Sequence, residues 1–449
     1  MGSGSDVGGP DWLPGVVDVT GIEPPPSTGP MVITLDKALD IAQKVQPSIR
    51  SAQAQVTAAE GRVDQARVIE QPVVNLAAGL FVSSARSEVI ITGSGATSAG
   101  GGGATFFSFG LGAQSGVSAT ATMRLYDFGQ TRANIDAAQY NVEAQQAGVG
   151  SAVLDVRKNV ESAYLQAVAE RRLVVVAEAT VKSEEGHLDQ AKRFVAAQAQ
   201  DPIQVAEAQA RLANAKSALA QAKSTEAIAL ANLRAAIGWV ELENELVVDP
   251  NWPVPPAEEP PPLRELVVDA RAHRPEIVEI NKSLESADAS LAAAHYERRP
   301  VLAASATTSW NPTTDTSNEP EPVWAAGLSL SWALWDGGKS AADVKVAQAS
   351  MQETLAARDA LLVSVTSQLD SARSQIIANK ANVSASTEAV TSARAQLQLA
   401  EARYTQGLGS QIELADAQTA VTTAEGNLVT AEWQLADAWA QLRRALGRI

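Results

Sequence analysis

The chain has 449 residues, with 35 Lys and Arg, 51 Asp and Glu and no Cys, so its formal net charge is −16. The absence of cysteine excludes disulfides and thiolate metal sites. A chain this acidic is also a poor partner for nucleic acid, because phosphate contact requires clustered Lys and Arg. Its length fits about three ordinary domains or one long architecture.

The N-terminal segment, 1–34, is rich in proline and is predicted to be irregular. Residues 1–5 lack the charged and apolar regions of a secretory signal and are interpreted as an added leader or as a start placed after a removed signal. No window of the chain approaches the roughly 18 to 20 consecutive apolar residues of a membrane-spanning helix. Hydropathy alone therefore predicts a soluble protein.

The rest of the chain divides into two similar halves, 35–238 and 263–449, joined by a Pro-rich linker over 239–262. Residues 125–139 match residues 334–348 at a constant offset of 209. Self-similarity over this length is typical of an internal duplication. We therefore predict an internal two-fold repeat.

Both halves predict the same order of elements: a helix, two strands, a very long helix and a return helix. The first half carries 19 extra residues, which fall in a Gly-rich stretch that is predicted to be an exposed loop over 93–103. In the first half the elements are a helix over 35–70, strands within 73–127, a long helix over 130–196 and a helix over 202–237. In the second half they are a helix over 263–298, strands within 301–336, a long helix over 339–404 and a helix over 411–446.

Heptad spacing dominates the long helices, and a strict heptad of this length predicts coiled-coil packing. A helix of about 67 residues is about 100 Å long, whereas one of about 36 residues reaches roughly half of that. Two short helices therefore match one long helix, and each half is expected to form a stave that is two helices wide. The heptad residues of the second long helix are Leu355, Leu362, Leu369, Ile376, Val383, Val390, Leu397 and Tyr404.

The strand-like runs alternate apolar and polar residues, as Leu328 and Leu330 do with Ser329 and Ser331. Period two with one apolar face is equally consistent with a small soluble antiparallel sheet and with a membrane barrel. Two arguments favour the barrel: no other segment is left to cover the apolar face, and four strands cannot close a barrel, since the smallest has about eight. Closure then requires a homo-oligomer, and three copies provide 12 strands.

Aromatic residues are concentrated in these strand-like windows. Ten of the chain's 20 aromatics lie there, within 91 of the 449 residues, and several fall near strand ends as an aromatic girdle requires. The girdle candidates are Trp310, Trp324, Trp332, Trp335, Phe106 and Phe107.

The Leu-x-Asp-x-Gly sequence before each long helix, at Leu125 and Leu334, and the tip sequence over 403–418 resemble the TolC-like outer-membrane efflux protein family. The fold that this resemblance implies is mostly α with a β-barrel portion. A long coiled-coil α-barrel through the periplasm continues into a trimeric 12-stranded transmembrane β-barrel, with four strands from each protomer.

The resemblance also implies a function and partners. The expected protein is a passive homotrimeric duct of a tripartite efflux or type I secretion system, which exports small molecules or polypeptides. Its partners are a periplasmic adaptor, an inner-membrane pump of RND, ABC or MFS type, and the lipids of the outer membrane of a Gram-negative bacterium. It is not expected to be an enzyme or to bind a cofactor.

The turns at the tips of the long helices are the first candidate sites. Gly407 and Gly409 permit the sharp reversal of the second tip, while Asp201 and Pro202 cap the return helix of the first. Plain turn chemistry explains all four. The resemblance implies adaptor contacts here, at Gly407 and Leu408 first of all. The first tip lacks the glycine, which makes its adaptor groove doubtful.

Acidic residues follow the second tip. Glu413 and Asp416 lie three apart on one helix face, where the family carries the residues that line its closed aperture. By symmetry the first half offers Gln204 and Glu207. The alternative explanation is an acidic first turn that stabilises the helix N-terminus. The family's neighbouring arginine is replaced by Gly409, so any salt-bridge latch must differ.

The remaining chemistry is sparse. The three histidines are dispersed without metal-ligand spacing, and no catalytic triad or phosphate loop is present. Asp127 and Asp336 are predicted to cap the long helices. The rival function is a soluble coiled-coil scaffold, for which the alternating strands with their aromatics would have no purpose.

Overall fold

The computed structural model describes residues 31–90, 105–198, 201–239, 246–249, 259–310, 322–406 and 408–448. The predicted loop over 93–103 and Gly407 lie outside these ranges. The elements are β1 (Met31–Ile33), α1 (Leu35–Val45), α2 (Pro47–Val68), β2 (Val73–Ile90), β3 (Thr105–Tyr126), α3 (Gln130–Ala196), α4 (Ile203–Ile237), β4 (Leu246–Val248), α5 (Leu263–His273), α6 (Pro275–Tyr296), β5 (Val301–Trp310), β6 (Val323–Ser331), α7 (Lys339–Thr405) and α8 (Gln411–Leu446).

The two long helices, α3 and α7, have 67 residues each. Shorter helices cover α3 in two stretches. The helix α6 packs on its first part, where the Ser286 hydroxyl donates to the Ala137 carbonyl. The helix α8 packs on its second part, where Thr180 and Thr422 share a hydrogen bond. The helices α2 and α4 pack on the opposite flank of α3, and α7 packs on the far side of α6 and α8. The wall is therefore four helices wide at both levels, with the order α2-α3-α6-α7 at one and α4-α3-α8-α7 at the other.

The helices predicted over 35–70 and 263–298 are each divided in two. Gln46 and Arg274 interrupt them in extended conformations, with ψ of 121° and 122°. Each precedes a proline, Pro47 or Pro275, and the proline ring disfavours the helical conformation of the residue before it. The chain therefore turns at these points, and the short helices α1 and α5 pack at mid-height.

Four antiparallel strands form one sheet in the order β2-β3-β5-β6. A register shift at Arg124 and Tyr126 interrupts the pairing of β3 with β5. The strand predicted to continue to Asp336 ends at Ser331. Ser331 pairs with Val301, the first residue of β5, so no residue of β5 remains to pair with the chain after Ser331.

A second, two-stranded sheet pairs β1 with β4 in parallel. The sequence predicted an irregular segment over 1–34 and a Pro-rich linker over 239–262, so neither short strand was predicted. Three-residue runs are too short for a period-two signal, and their partners lie far apart in the chain. Burial explains the pairing, since Ile33 and Val248 enter the apolar core around the middle of α3.

Two apolar cores lie at mid-height. The first surrounds the middle of α3, with Val160 and Leu233 in it, and the second surrounds the middle of α7, with Leu369 and Leu442 in it. Smaller clusters continue along the hairpins towards the tips. Within the described part of the chain, no helix combines the length and apolar character needed to cross a membrane.

Each return helix ends on a glycine that packs against the joint before the proline. Gly238 and Gly447 have φ of 80° and 74°, in the left-handed region. A Cβ on Gly447 would lie 2.7 Å from the Arg274 Cα, and one on Gly238 would lie 3.2 Å from the Gln46 Cα. Both positions require glycine, because the backbone is left-handed there and because a Cβ atom would be too close to the neighbouring backbone.

We expect Gly447→Ala to lower the free energy of unfolding by about 2 to 4 kcal/mol, because it adds a left-handed alanine and a backbone clash. Chemical denaturation of the purified protein measures this change. The matched control is Gly426→Ala in the same helix, where the new Cβ meets only the Leu173 side chain at 3.8 Å. The control is expected to be neutral or stabilising; equal tolerance of both alanines would contradict the role of the joint.

Candidate functional site

The second tip is a tight reversal between α7 and α8. The main-chain NH groups of Leu408 and Gly409 donate to the Arg403 carbonyl at 2.8 and 3.0 Å. The Ser410 hydroxyl caps α8 by accepting from the Glu413 NH at 3.1 Å. A Cβ on Gly409 would lie 3.1 Å from the Tyr404 nitrogen. Glycine at this position therefore serves close backbone approach.

The first tip reaches the same reversal without glycine. Gln198 follows α3 with φ of 55°, a left-handed conformation that is unusual for a non-glycine residue. It stands 209 positions before Gly407, which lies outside the described residues. The Asp201 carboxylate accepts from the Ile203 NH at 3.0 Å and so caps α4, while Pro202 precedes the first helical residue.

The two tips pack against each other. The Phe194 ring of α3 meets the Tyr404 ring edge-to-face, with 5.7 Å between centroids. Tyr404 is only 1 % exposed. The Gln411 side chain donates to the Gln204 carbonyl at 3.3 Å, which joins the first turns of α8 and α4. The heptad identified Tyr404 as a packing residue, but no sequence signal indicated its partner Phe194.

The aperture candidates differ in their charge environment. An Oε1 of Glu413, whose side chain is 40 % exposed, lies 3.4 Å from a guanidinium nitrogen of Arg403. Asp416 and Glu207 are exposed and form no ion pair with any described residue. From the sequence, only the replacement of the family arginine by Gly409 was evident. Arg403, which supplies a cation from the preceding helix, was not predicted.

An apolar surface covers the same end of the molecule. Leu408, Ile412 and Ile203 are all exposed, with Leu408 at 71 %. Asp201 and Pro202 are exposed beside them. The tip thus presents apolar side chains next to carboxylates, a composition suited to contact with another protein.

The tryptophan candidates occupy two levels of the sheet. Trp310 and Trp324 lie at the far end of the hairpin of β5 and β6, and Trp332 and Trp335 follow the near end of β6. All four are exposed. Eight residues of strand separate Trp324 from Trp332, about 26 Å at 3.3 Å per residue.

Phe106 and Phe107 lie in β3, where their backbones pair with Val89 and Glu88 of β2. Val117 of β3 pairs with Trp310, and Phe107 lies ten residues farther along β3, about 33 Å at 3.3 Å per residue. The backbones of Phe106 and Phe107 therefore lie well beyond the level of Trp310 and Trp324.

Aspartates begin both long helices, as predicted. The Asp127 carboxylate accepts from the NH groups of Gly129 and Thr131 at 3.2 and 2.8 Å. Asp336 repeats this arrangement, and hydrogen bonds from the Ser340 hydroxyl and NH and from the Gly338 NH lower its pKa to about 2. Among the described residues, no group of acidic or histidine side chains is placed to hold a metal ion.

A helical wall that continues into an exposed antiparallel sheet is the architecture of a membrane channel protein. Comparison with known proteins identifies the family, because the profile of the outer membrane efflux proteins matches residues 38–239 and 266–448. The chain belongs to the outer membrane efflux protein family, which confirms the predicted resemblance. It is an outer-membrane export channel, and the scaffold alternative is not favoured.

Individual proteins agree with this assignment. Protein CyaE of Bordetella pertussis is 27 % identical over 404 residues, which cover 88 % of this chain and 80 % of that protein. The CmeC outer membrane channel of Campylobacter jejuni has a TM-score of 0.74 at 16 % identity, covering 92 % of this chain and 85 % of CmeC. The open state of the MtrE channel of Neisseria gonorrhoeae has a TM-score of 0.70 at 21 % identity, covering 92 % and 89 %. The two structures establish a shared fold.

We expect Gln198→Gly to raise the free energy of unfolding by about 1 kcal/mol, because glycine adopts the left-handed conformation without strain. Denaturant titration of the purified protein measures the gain. The same substitution at Gln209, which is exposed inside α4, is the matched control and should cost about 0.5 to 1 kcal/mol. A loss at both positions would show that the first tip does not store this strain.

Proposed function

We propose that three copies of this chain form a passive duct in the outer membrane of a Gram-negative bacterium. Each protomer contributes four strands to a 12-stranded barrel and a wall four helices wide to a tube of 12 helices that extends into the periplasm. The two halves of the chain act as repeated staves of that tube. The duct exports small molecules or polypeptides.

The sheet carries this proposal. Its outer strands, β2 and β6, each pair on one side only within the described residues. Leu328 and Leu330 of β6 are exposed in the single chain. Unpaired edges and an uncovered apolar face are unstable in water and far from closure with four strands. Edge-to-edge pairing of three sheets satisfies the backbone, and lipid covers the apolar face.

The aromatic levels support a membrane-embedded sheet. Strands of an outer-membrane barrel are tilted by about 35–45°, so about 26 Å along the chain between Trp324 and Trp332 spans roughly 20 Å of membrane, comparable to an apolar band about 25 Å tall. Tryptophan prefers the boundary between lipid and water. We therefore assign Trp310 and Trp324 to one boundary and Trp332 and Trp335 to the other. Phe106 and Phe107 lie about ten residues of strand beyond the first boundary and are not assigned to it.

The tips support docking to a periplasmic adaptor, which couples the duct to an inner-membrane pump of RND, ABC or MFS type. The exposed apolar residues Leu408, Ile412 and Ile203 form a contact surface of the required chemistry. Gly409, with Asp201 and Pro202, shapes the turns on which that surface lies, and adaptor contact at Gly407 stays a prediction.

Thiol cross-linking tests the trimer, because the chain has no cysteine of its own. Asn75→Cys in β2 is combined with single cysteines scanned along β6, and a short bis-maleimide is added to the detergent-solubilised protein. We expect covalent trimers on a denaturing gel for at least one scanned position. The control pair is Thr120→Cys with Thr307→Cys, which are register partners in one chain and should leave monomers. Monomers at every position of the scan would overturn the proposed closure.

The ion selectivity of the channel tests the proposed aperture residues. We expect Asp416→Asn to reduce the cation preference of the channel in planar bilayers, because Asp416 forms no ion pair in the described chain and three copies create a ring of carboxylates. Glu413→Gln should change it little, since Arg403 already offsets that charge. Reversal potentials under a salt gradient measure the preference.

Asp416→Glu is the matched control for this measurement and should retain the preference. Unchanged selectivity in Asp416→Asn would remove this residue from the aperture while leaving the trimer intact. A larger effect of Glu413→Gln than of Asp416→Asn would contradict the offset by Arg403.

A further inference from the structure

A cleft of about 780 Å³ lies at mid-height between α3 and α7, beside the last turns of α8. Over one part of their length α3 and α7 are separated by α8, and over the other part by α6. The cleft lies where α8 ends, at Leu446, and α6 begins, at Pro275. The residues that line it are Lys158, Ala360, Val363, Ser364, Ser367, Gln368, Ser371, Ala372, Gln441, Arg444 and Ala445.

The charge of this lining is opposite to that of the chain. It contains two cations, Lys158 and Arg444, and no carboxylate, although the chain carries a net charge of −16. The guanidinium of Arg444 is already engaged, at 2.6 Å from the Asp155 carboxylate and 2.5 Å from that of Glu276. Lys158 forms no ion pair within the described residues.

Further charged residues lie behind the cleft. Arg274 is 3 % exposed and contacts the Glu276 carboxylate and the Gln368 amide. Burial opposes ionisation of Glu276, but hydrogen bonds from Arg274 and the charge of Arg444 lower its pKa below the usual value. Arg443 pairs with Glu161, and the Asp437 carboxylate accepts from the Gln441 amide that lines the cleft. Of the cations in this group, Lys158 is the one that forms no ion pair with a described residue.

The opposite wall of the cleft provides hydrogen-bond donors. Ser364, Ser367 and Ser371 recur at spacings of three and four along α7 and therefore lie on one helix face. The Ser364 hydroxyl accepts from the Gln368 amide, and the Ser371 hydroxyl accepts from the Gln375 amide. Because a hydroxyl that accepts one hydrogen bond can still donate another, Ser364 and Ser371 each retain a donor. All three serines are exposed to solvent.

The remaining surface of the cleft is apolar, with Ala360, Val363, Ala372 and Ala445 in it. We propose that this cleft is a binding site for an amphipathic organic anion. The carboxylate or phosphate group of the ligand lies between the Lys158 ammonium and the α7 hydroxyls, and its apolar body lies against Val363. A charge-assisted hydrogen bond is stronger than a neutral one.

Isothermal titration calorimetry of the full chain in a non-ionic detergent tests this site. The probes are 2-naphthoate, its neutral analogue 2-naphthylmethanol, and inorganic phosphate, all at one ionic strength. We expect 2-naphthoate to bind more tightly than either of the others, because it alone combines the charge with the apolar body. Equal affinity for the neutral analogue, measured against protein-free detergent, would overturn the proposal.

Variants locate the binding. Lys158→Gln should weaken 2-naphthoate about tenfold, the usual effect of one charged hydrogen bond, and should leave 2-naphthylmethanol unchanged. Ser367→Ala should weaken it severalfold. Lys345→Gln, at an exposed lysine of α7 outside the cleft, is the matched control and should have no effect. An equal loss in Lys345→Gln would mean that the anion responds only to the general field of the protein.

A second variant keeps the test independent of folding. Val363 is 71 % exposed, so Val363→Asp is expected to fold, and its carboxylate repels the anion. We expect 2-naphthoate binding to be lost, and circular dichroism and the melting temperature to be unchanged. Retention of binding in both Val363→Asp and Lys158→Gln would overturn the site.

Discussion

The structure depends on how a helix of 67 residues is covered along its whole length. An apolar heptad stripe that runs about 100 Å must be buried throughout, because any uncovered stretch leaves apolar surface in water. The other helices of this chain reach only about half of that. Each long helix is therefore covered by two sets of partners, and the sets meet at mid-height. The joints, the two apolar cores, the small parallel sheet and the cleft all lie at that level because it is where the partners change.

The seams between helices differ in character. Within each hairpin, α3 with α4 and α7 with α8, apolar residues of the heptads pack together. Between the hairpins, Phe194 of α3 packs on the apolar cluster of Tyr404 and Leu414 at the tip. Farther along, α3 meets α8 through polar contacts: Ser183 donates to Gln418, and Arg172 pairs with Glu432. Polar pairs specify register, since a displaced helix leaves them unsatisfied. The chain thus combines two hairpins held by burial with a seam aligned by hydrogen bonds.

Local patterns predicted the helices well where they were strictly periodic. The bounds of α3 and α8 follow from the heptads, and the start of α3 also follows from the Asp127 cap that precedes it. Prediction was poorer at Gln46 and Arg274, where the proline after each residue outweighed a continuous apolar pattern. It failed for β1 and β4, since three residues carry no measurable period and their pairing joins segments more than 200 positions apart. At the tips, glycine marked one reversal, whereas Gln198 carried no sequence signal for the other.

The sequence by itself determined the repeated order of elements, the lengths of the long and return helices and the alternation of the strands, because these depend on periodicity and on residues close together in the chain. It also placed the acidic residues after the second tip. Only the tertiary structure decided which charges meet. Arg403 with Glu413 and Phe194 with Tyr404 are contacts between separate helices. The cleft beside Lys158 likewise exists only where α6 and α8 stop short of each other. Such contacts are set by the packing of whole helices, and that packing is the sum of many weak interactions that no short stretch of sequence contains.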